Sequence, residues 1–229
     1  MLRDEEAQSF QKGSAQIALE TDPPFNNYLF IEQNREYIKE LETLRERFPA
    51  ITERVEIRQG DANSVLQDWC RSVDWQRNRA VVFLDPYGME VEWTTIETVA
   101  RTKAIDLWLL FPLGQAVNRV LTRNRPPEGA WADRLTRFFG TNEWKDAFYR
   151  HSTQMTLFGE EEHIRKDTDF EQIGRFFLSR LESVFARVAD NPLYLYNRKN
   201  IPIYLLCFAA GNKRGAPTAV RIAKDILGK

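Results

Sequence analysis

The chain has 229 residues, with 32 Lys+Arg against 33 Asp+Glu, 43% hydrophobic and 12% aromatic residues. That is an ordinary globular composition, which excludes a disordered or collagen-like chain and fits one domain. No run approaches the roughly 18 apolar residues of a membrane span, and the N-terminal MLRDEEAQSF has no apolar signal core, so the sequence reads as a cytoplasmic protein with no membrane partner. Cys70 and Cys207 are too few for a disulfide framework, and His151 and His163 cannot by themselves build a metal site. The formal net charge of −1 hides an asymmetry: residues 1–76 hold nine basic and fifteen acidic side chains (−6), whereas residues 192–229 hold seven basic and one acidic (+6). A local basic face for phosphate groups is compatible with this pattern.

In chain order, Tyr28 to Glu32 predicts a strand, and Asn34 to Phe48 a helix in which Tyr37, Ile38, Leu41, Leu44 and Phe48 recur at spacings of three and four. Val55 to Gln59 predicts a second strand leading into Gly60-Asp61, and Ala62 to Arg71 a helix with Val65, Leu66 and Trp69 on one face. Ala80 to Leu84 predicts a third strand, the most apolar so far and hence expected near the sheet centre; it stops at Asp85-Pro86-Tyr87-Gly88, where proline removes a ladder donor and glycine permits a turn. Thr94 to Thr102 predicts a helix, and Ile105 to Phe111 a fourth strand ended by Pro112. Apolar strands alternating with amphipathic helices predict an α/β fold with a parallel sheet.

After Pro112 the rhythm changes. Gln115 to Leu121 predicts a helix, Arg125 to Gly129 a loop, Trp131 to Tyr149 one or two helices, residues 151–169 an exposed loop, and Phe170 to Val188 a further helix. Residues of about 113–190 therefore read as a helical insertion. Leu193 to Tyr196 and Ile203 to Phe208, separated by Asn197 to Pro202, predict a β-hairpin at the sheet edge. Thr218 to Leu227 predicts a closing helix, with Thr218 as its cap.

The loops after the first three strands bring forward Glu32, Asp61-Ala62 and Asp85-Pro86-Tyr87-Gly88. In an open parallel sheet such loops share the carboxyl edge, where ligands bind. A carboxylate in the position of Glu32 can accept both ribose hydroxyls of a nucleoside, and Asp61 can accept from an exocyclic adenine amine; the plain alternative for either is a carboxylate at a helix N-terminus. In Asp85-Pro86-Tyr87, a carboxylate and a proline carbonyl can accept hydrogens from an amino group while the aromatic ring stacks on a planar base. The plain alternative is a tight turn in which Asp85 caps the next segment.

The ordered series Gly13 to Leu19, Tyr28 to Glu32, Gly60 to Asn63, Phe83 to Gly88, Asp106 to Pro112 and Ile203 to Ala209 resembles the bacterial three-Cys-motif partner protein family over nearly the whole chain. That family resembles the class I S-adenosyl-L-methionine-dependent methyltransferases, so the resemblance implies a Rossmann-like sheet with a C-terminal antiparallel β-hairpin, and a three-cysteine, radical-S-adenosylmethionine-like protein as partner. It also implies Glu32 for the cofactor ribose, Asp61 and Ala62 for its adenine, and Asp85, Pro86 and Tyr87 at the methyl acceptor. Two departures stand out. The tetrapeptide has one proline where amino-methyltransferases have Asp-Pro-Pro-Tyr. The family's first strand and glycine-rich loop have no counterpart in Met1 to Lys12, so a truncated reading of a longer gene is expected, with a sheet lacking its central first strand and apolar neighbours left exposed; the alternative is a degenerate member that holds the cofactor poorly.

A second motif, Gln154-Met-Thr-Leu157-Phe158, resembles the pentapeptide by which bacterial replication and repair proteins bind the sliding clamp. Leu157 and Phe158 would fill an apolar pocket and Gln154 would supply a directional hydrogen bond; the alternative is a loop anchored to its own surface. Arg119, Arg123, Arg125, Arg134 and Arg137 could contact phosphates, DNA included, or pair with Glu128 and Asp133. The expected function is methyl transfer to an amino group, of a nucleobase by preference. The alternative is a non-catalytic Rossmann-like partner module for the three-cysteine protein or for DNA-associated machinery. A nucleotide-processing hydrolase is disfavoured by the lack of a P-loop.

Overall fold

The structure, a computed structural model, describes residues 13–156 and 159–228, with side chains described outside 154–162. It is a mixed α/β protein that divides into two compact units, residues 1–68 and 69–229. The described strands form three separate sheets.

In the first unit, helix α1 (Ser14–Leu19) precedes strand β1 (Tyr28–Glu32), helix α2 (Arg35–Glu46) and strand β2 (Val55–Gln59); helix α3 (Ala62–Ser72) begins in this unit and ends in the second. Strands β1 and β2 pair in parallel, Tyr28 opposite Val55 and Glu32 opposite Gln59. The parallel pairing needs a crossover, which α2 provides. Asn34 starts that helix by accepting the Glu36 N–H at 2.9 Å. Leu44 and Phe48 then pack with Phe30 and Ile57 over the buried Leu19, Tyr28, Ile51 and Val55, because the three- and four-residue spacing puts them on one face.

The second unit holds strand β3 (Ala80–Leu84), helix α4 (Trp93–Arg101), strand β4 (Ile105–Phe111), a π-helical turn at Leu113–Val117 running into helix α5 (Asn118–Val120), and helices α6 (Ala130–Phe139) and α7 (Trp144–Phe148). Next come strands β5 (Tyr149–Thr156) and β6 (Gly159–Lys166), helix α8 (Phe170–Glu182), strands β7 (Arg187–Val188), β8 (Leu193–Tyr196) and β9 (Pro202–Ala210), and helix α9 (Ala216–Leu227). The sheet order is β3-β4-β9-β7, with β8 also on β9. Strands β3 and β4 are parallel. Strand β9 runs antiparallel to β4 and forms the expected hairpin with β8.

Four expectations are corrected. Strand β3 is not central: among the described residues it pairs with β4 alone, and its Val81 and Phe83 are 49% and 44% exposed. An apolar run reports how fully a strand is to be covered, not which strands hydrogen-bond it. Residues 151–169 are not a loop but largely the β5–β6 hairpin, with Tyr149 opposite Lys166 and Thr156 opposite Gly159. The sequence of these strands is mostly polar, so the apolar–polar alternation that signals a half-buried strand is absent, and the insertion is not purely helical. The helix begun at Phe170 stops at Glu182, and Arg187 and Val188 turn outward to pair with Ala210 and Ala209. Helix α9 starts two residues earlier than expected, with Pro217 in its first turn and Gly215, not Thr218, at its cap.

Strand β4 alternates buried and half-buried residues along its length. One face carries Ile105, Leu107, Leu109 and Phe111, all at most 1% exposed. There Phe111 stacks on Phe177 of α8 at 4.2 Å between ring centroids and on Phe138 of α6 at 5.6 Å. On the other face Trp108 packs with Phe208 and with Val220, Ala223 and Leu227 of α9. The C-terminal turn of α6 closes on Gly140, whose φ is +69° and where an added Cβ would lie 2.0 Å from Trp93. Phe111→Ala should therefore cost about 3–5 kcal/mol, read as a lower denaturant midpoint with an unchanged slope.

Candidate functional site

Strands β3 and β4 run in the same direction with Leu84 opposite Leu109, so the turns after them lie at one carboxyl edge. Strand β3 releases the chain at Asp85. Pro86 is buried and anchors the turn, Gly88 reverses it at φ +68°, and Tyr87 is left 84% exposed. After β4, Gly114 lies so close to the start of β9 that an added Cβ would sit 2.1 Å from the Pro202 carbonyl oxygen. This close approach brings the π-helical turn alongside β9 and its Tyr204.

Asp85 is exposed as a residue, but partial burial of its carboxyl raises its pKa above the usual carboxylate value. Among the described residues no hydrogen-bond donor or cation reaches that carboxylate, so it does not cap the next segment. Tyr204 is half-buried and its pKa is raised by burial, then by the negative charge of Asp85 and by Tyr87. Asp85, Tyr87 and Tyr204 are thus brought within electrostatic reach of one another. Tyr204 escaped the sequence reading because it stands within a hairpin strand; the one available signal was a hydroxyl in an otherwise apolar run.

Tyr87 and Tyr204, though not Asp85 itself, line a cleft of about 870 Å³, walled also by Gly88 to Glu90, by Gln115, Ala116, Arg119 and Val120, by the loop from Thr122 to Glu128, and by Trp131 and Arg134 of α6. Of the five arginines singled out in the sequence, Arg119, Arg125 and Arg134 line it. Arg137 instead faces Glu92 at 4.0 Å.

Glu32, Asp61 and Ala62 come together in the first unit, at the carboxyl end of the β1–β2 pair, where the Gly60 N–H donates to the Glu32 carbonyl at 3.1 Å. Both carboxylates also serve the backbone. Glu32 Oε1 accepts the Asn34 N–H at 2.7 Å. Asp61 Oδ2 accepts the N–H and hydroxyl of Ser64 at 2.8 and 2.9 Å, and the Ser64 N–H leads in holding its pKa below the usual carboxylate value. Ala62 opens α3 with no functional group of its own.

Of the clamp-like motif, the Gln154 backbone lies on β5 opposite Glu161, while Leu157 and Phe158 lie outside the described residues. Burial pushes the Cys70 thiol up to about 11 and raises Cys207 as well, so neither is a ready thiolate nucleophile at neutral pH. Among the described residues no three His, Cys, Asp or Glu side chains converge as metal ligands would, and no helix is long and apolar enough to cross a membrane. No protein-family model, curated protein or solved structure matches the chain.

The environment of Asp85 sets a pH dependence. Its folded pKa lies above the ordinary 3.8, so the native state favours the protonated carboxyl, and the ionised form burdens the fold at neutral pH. Asp85→Asn should raise Tm at pH 7, and the gain should shrink as pH falls through the raised pKa, vanishing below 3.8. Thermal melts of both proteins across this range check it; a variant less stable at pH 7 contradicts it.

Proposed function

We propose that the chain is a Rossmann-like, S-adenosyl-L-methionine-dependent methyltransferase of the three-Cys-motif partner kind, acting on an amino group, with a nucleobase as the preferred acceptor. The observation that carries this reading is the Asp85 carboxylate after β3, without a partner among the described residues and within electrostatic reach of Tyr204, as is the exposed Tyr87. A carboxylate that neither caps a helix nor neutralises a cation has a steady desolvation cost, which is the mark of a group kept for a ligand.

In this reading Asp85 and the Pro86 carbonyl accept the two hydrogens of an incoming amino group, which aims the nitrogen lone pair away from them. Tyr87 stacks on the planar ring that carries the amine. Asp85 then holds the proton that the nitrogen sheds, a role for which a raised pKa suits it better than an ordinary one. The single proline leaves Tyr87 directly after Pro86, with Gly88 supplying the left-handed turn.

The β1–β2 tip fits the cofactor in chemical type, since adjacent carboxylates are acceptors for a ribose diol and an adenine amine. Glu32 would hold the diol, and Asp61 with the Ala62 backbone the adenine; when bound, the cofactor supplies an electrophilic methyl group. A second reading, a non-catalytic module that binds the three-cysteine protein or DNA-associated machinery, is favoured by the engagement of both carboxylates with their own backbone. Calorimetry with S-adenosylmethionine and S-adenosylhomocysteine separates the two. The first reading expects micromolar binding that Glu32→Ala abolishes; absence of heat with either ligand favours the module.

A further inference from the structure

The cleft has walls of a kind that methyl transfer alone does not demand. Trp131 is 51% exposed and Tyr87 84% exposed. Exposed aromatic faces on a cleft are standing platforms for flat ligands. Guanidinium groups come from three separate elements: Arg119 from α5, Arg125 from the loop after it and Arg134 from α6. Arg134 sits 6.0 Å from the Trp131 ring centroid and 3.9 Å from Glu90. Among the described residues Arg119 and Arg125 make no ion pair.

The loop that carries Arg125 is held in place before any ligand arrives. Thr122 Oγ1 donates to the Arg125 carbonyl, and Tyr149 Oη donates to the Thr122 carbonyl at 2.9 Å. The Lys166 N–H donates to the Arg123 carbonyl at 2.8 Å, and Pro126 and Pro127 restrict the backbone beyond it. Little conformational entropy then remains to be lost on binding. Lys166 Nζ donates to Asn118 at 2.6 Å. Burial first and then the Arg123 charge lower the pKa of Lys166.

Such a surface suits a ligand that carries both flat and anionic groups. We infer that this cleft binds single-stranded nucleic acid, with bases stacked on Tyr87 and Trp131 and backbone phosphates held by Arg119 and Arg125. Glu90 and Glu128 on the same walls oppose a featureless polyanion, and a paired duplex keeps its bases from the two rings. The inference rests on the proposed site and names its substrate class, but it concerns binding and needs no cofactor.

Fluorescence anisotropy of the intact chain, without cofactor, with labelled DNA and RNA strands of about 12 nucleotides, tests it. Unlabelled duplex, nucleoside monophosphates, heparin and a phosphopeptide serve as competitors. The strand should bind and be displaced by unlabelled strand in preference to all four. Trp131→Ala should weaken binding about tenfold or more, with Trp131→Phe restoring most of it. Arg119→Ala with Arg125→Ala should reduce the slope of log affinity against log salt by about 1.4, at roughly 0.7 per lost contact. These side chains are exposed, and circular dichroism checks that the variants are folded. Absence of strand binding, equal affinity in the variants, or better displacement by heparin or phosphopeptide overturns the inference; equal competition by monophosphates assigns the cleft to a free nucleotide instead. Loss of cofactor binding alone would leave it standing.

Discussion

The stack of Phe111 on Phe177 and Phe138 is the contact on which the second unit depends. Phe111 is the last residue of β4 and is fully buried, so a single side chain joins the sheet to α6 and α8 where the strand stops and the functional turns begin. Rigidity there has a direct use. Parallel β3 and β4 present their ends side by side, and whatever fixes the end of β4 fixes the edge on which Asp85, Tyr87 and the π-helical turn are arranged. Helix α6 contributes both Phe138 to the core and Trp131 and Arg134 to the cleft, so core packing and cleft shape are set by the same helix.

Stability and ligand binding pull in opposite directions at this edge. A carboxylate left partly desolvated, with no partner among the described residues, weakens the fold, as does an aromatic ring held in water. The surrounding structure offsets both through the anchored Pro86, the close approach of Gly114 to Pro202, and a proline-stiffened loop tied down by Thr122 and Tyr149. The β1–β2 tip of the first unit differs in kind. Its carboxylates already serve backbone N–H groups, so a ligand there would share oxygens that also hold the entries to α2 and α3.

Much of the fold was legible in the chain because its strong signals are local. The runs that became β1, β2, β3 and β4 were bounded correctly, since each is a short apolar or, in β2, apolar-alternating stretch that ends at a polar or turn-forming segment. The α2 helix followed from its three- and four-residue spacing, and the β8–β9 hairpin from a turn between two apolar runs. The β5–β6 pair was missed because its sequence is mostly polar and does not alternate, and β7 because two residues carry no periodicity. Of the candidate site, Asp85 and Tyr87 stood out through the turn they occupy. Tyr204 did not, because its contribution comes from a strand that reaches β4 only by antiparallel pairing across nearly a hundred residues of chain.

The sequence by itself determined the α/β character, the strand runs, the turn chemistry at Asp85-Pro86-Tyr87-Gly88 and the supply of arginines between Arg119 and Arg137, since each is written in neighbouring residues. Tertiary structure alone decided that, among the described residues, β3 pairs with β4 alone and Asp85 has no partner while Glu32 and Asp61 do, and that three of those five arginines gather with Trp131 and Tyr204 around one cleft. Those are matters of distance between residues far apart in the chain. Local periodicity constrains which face of an element is buried, whereas the neighbour that buries it is selected only when the whole core packs.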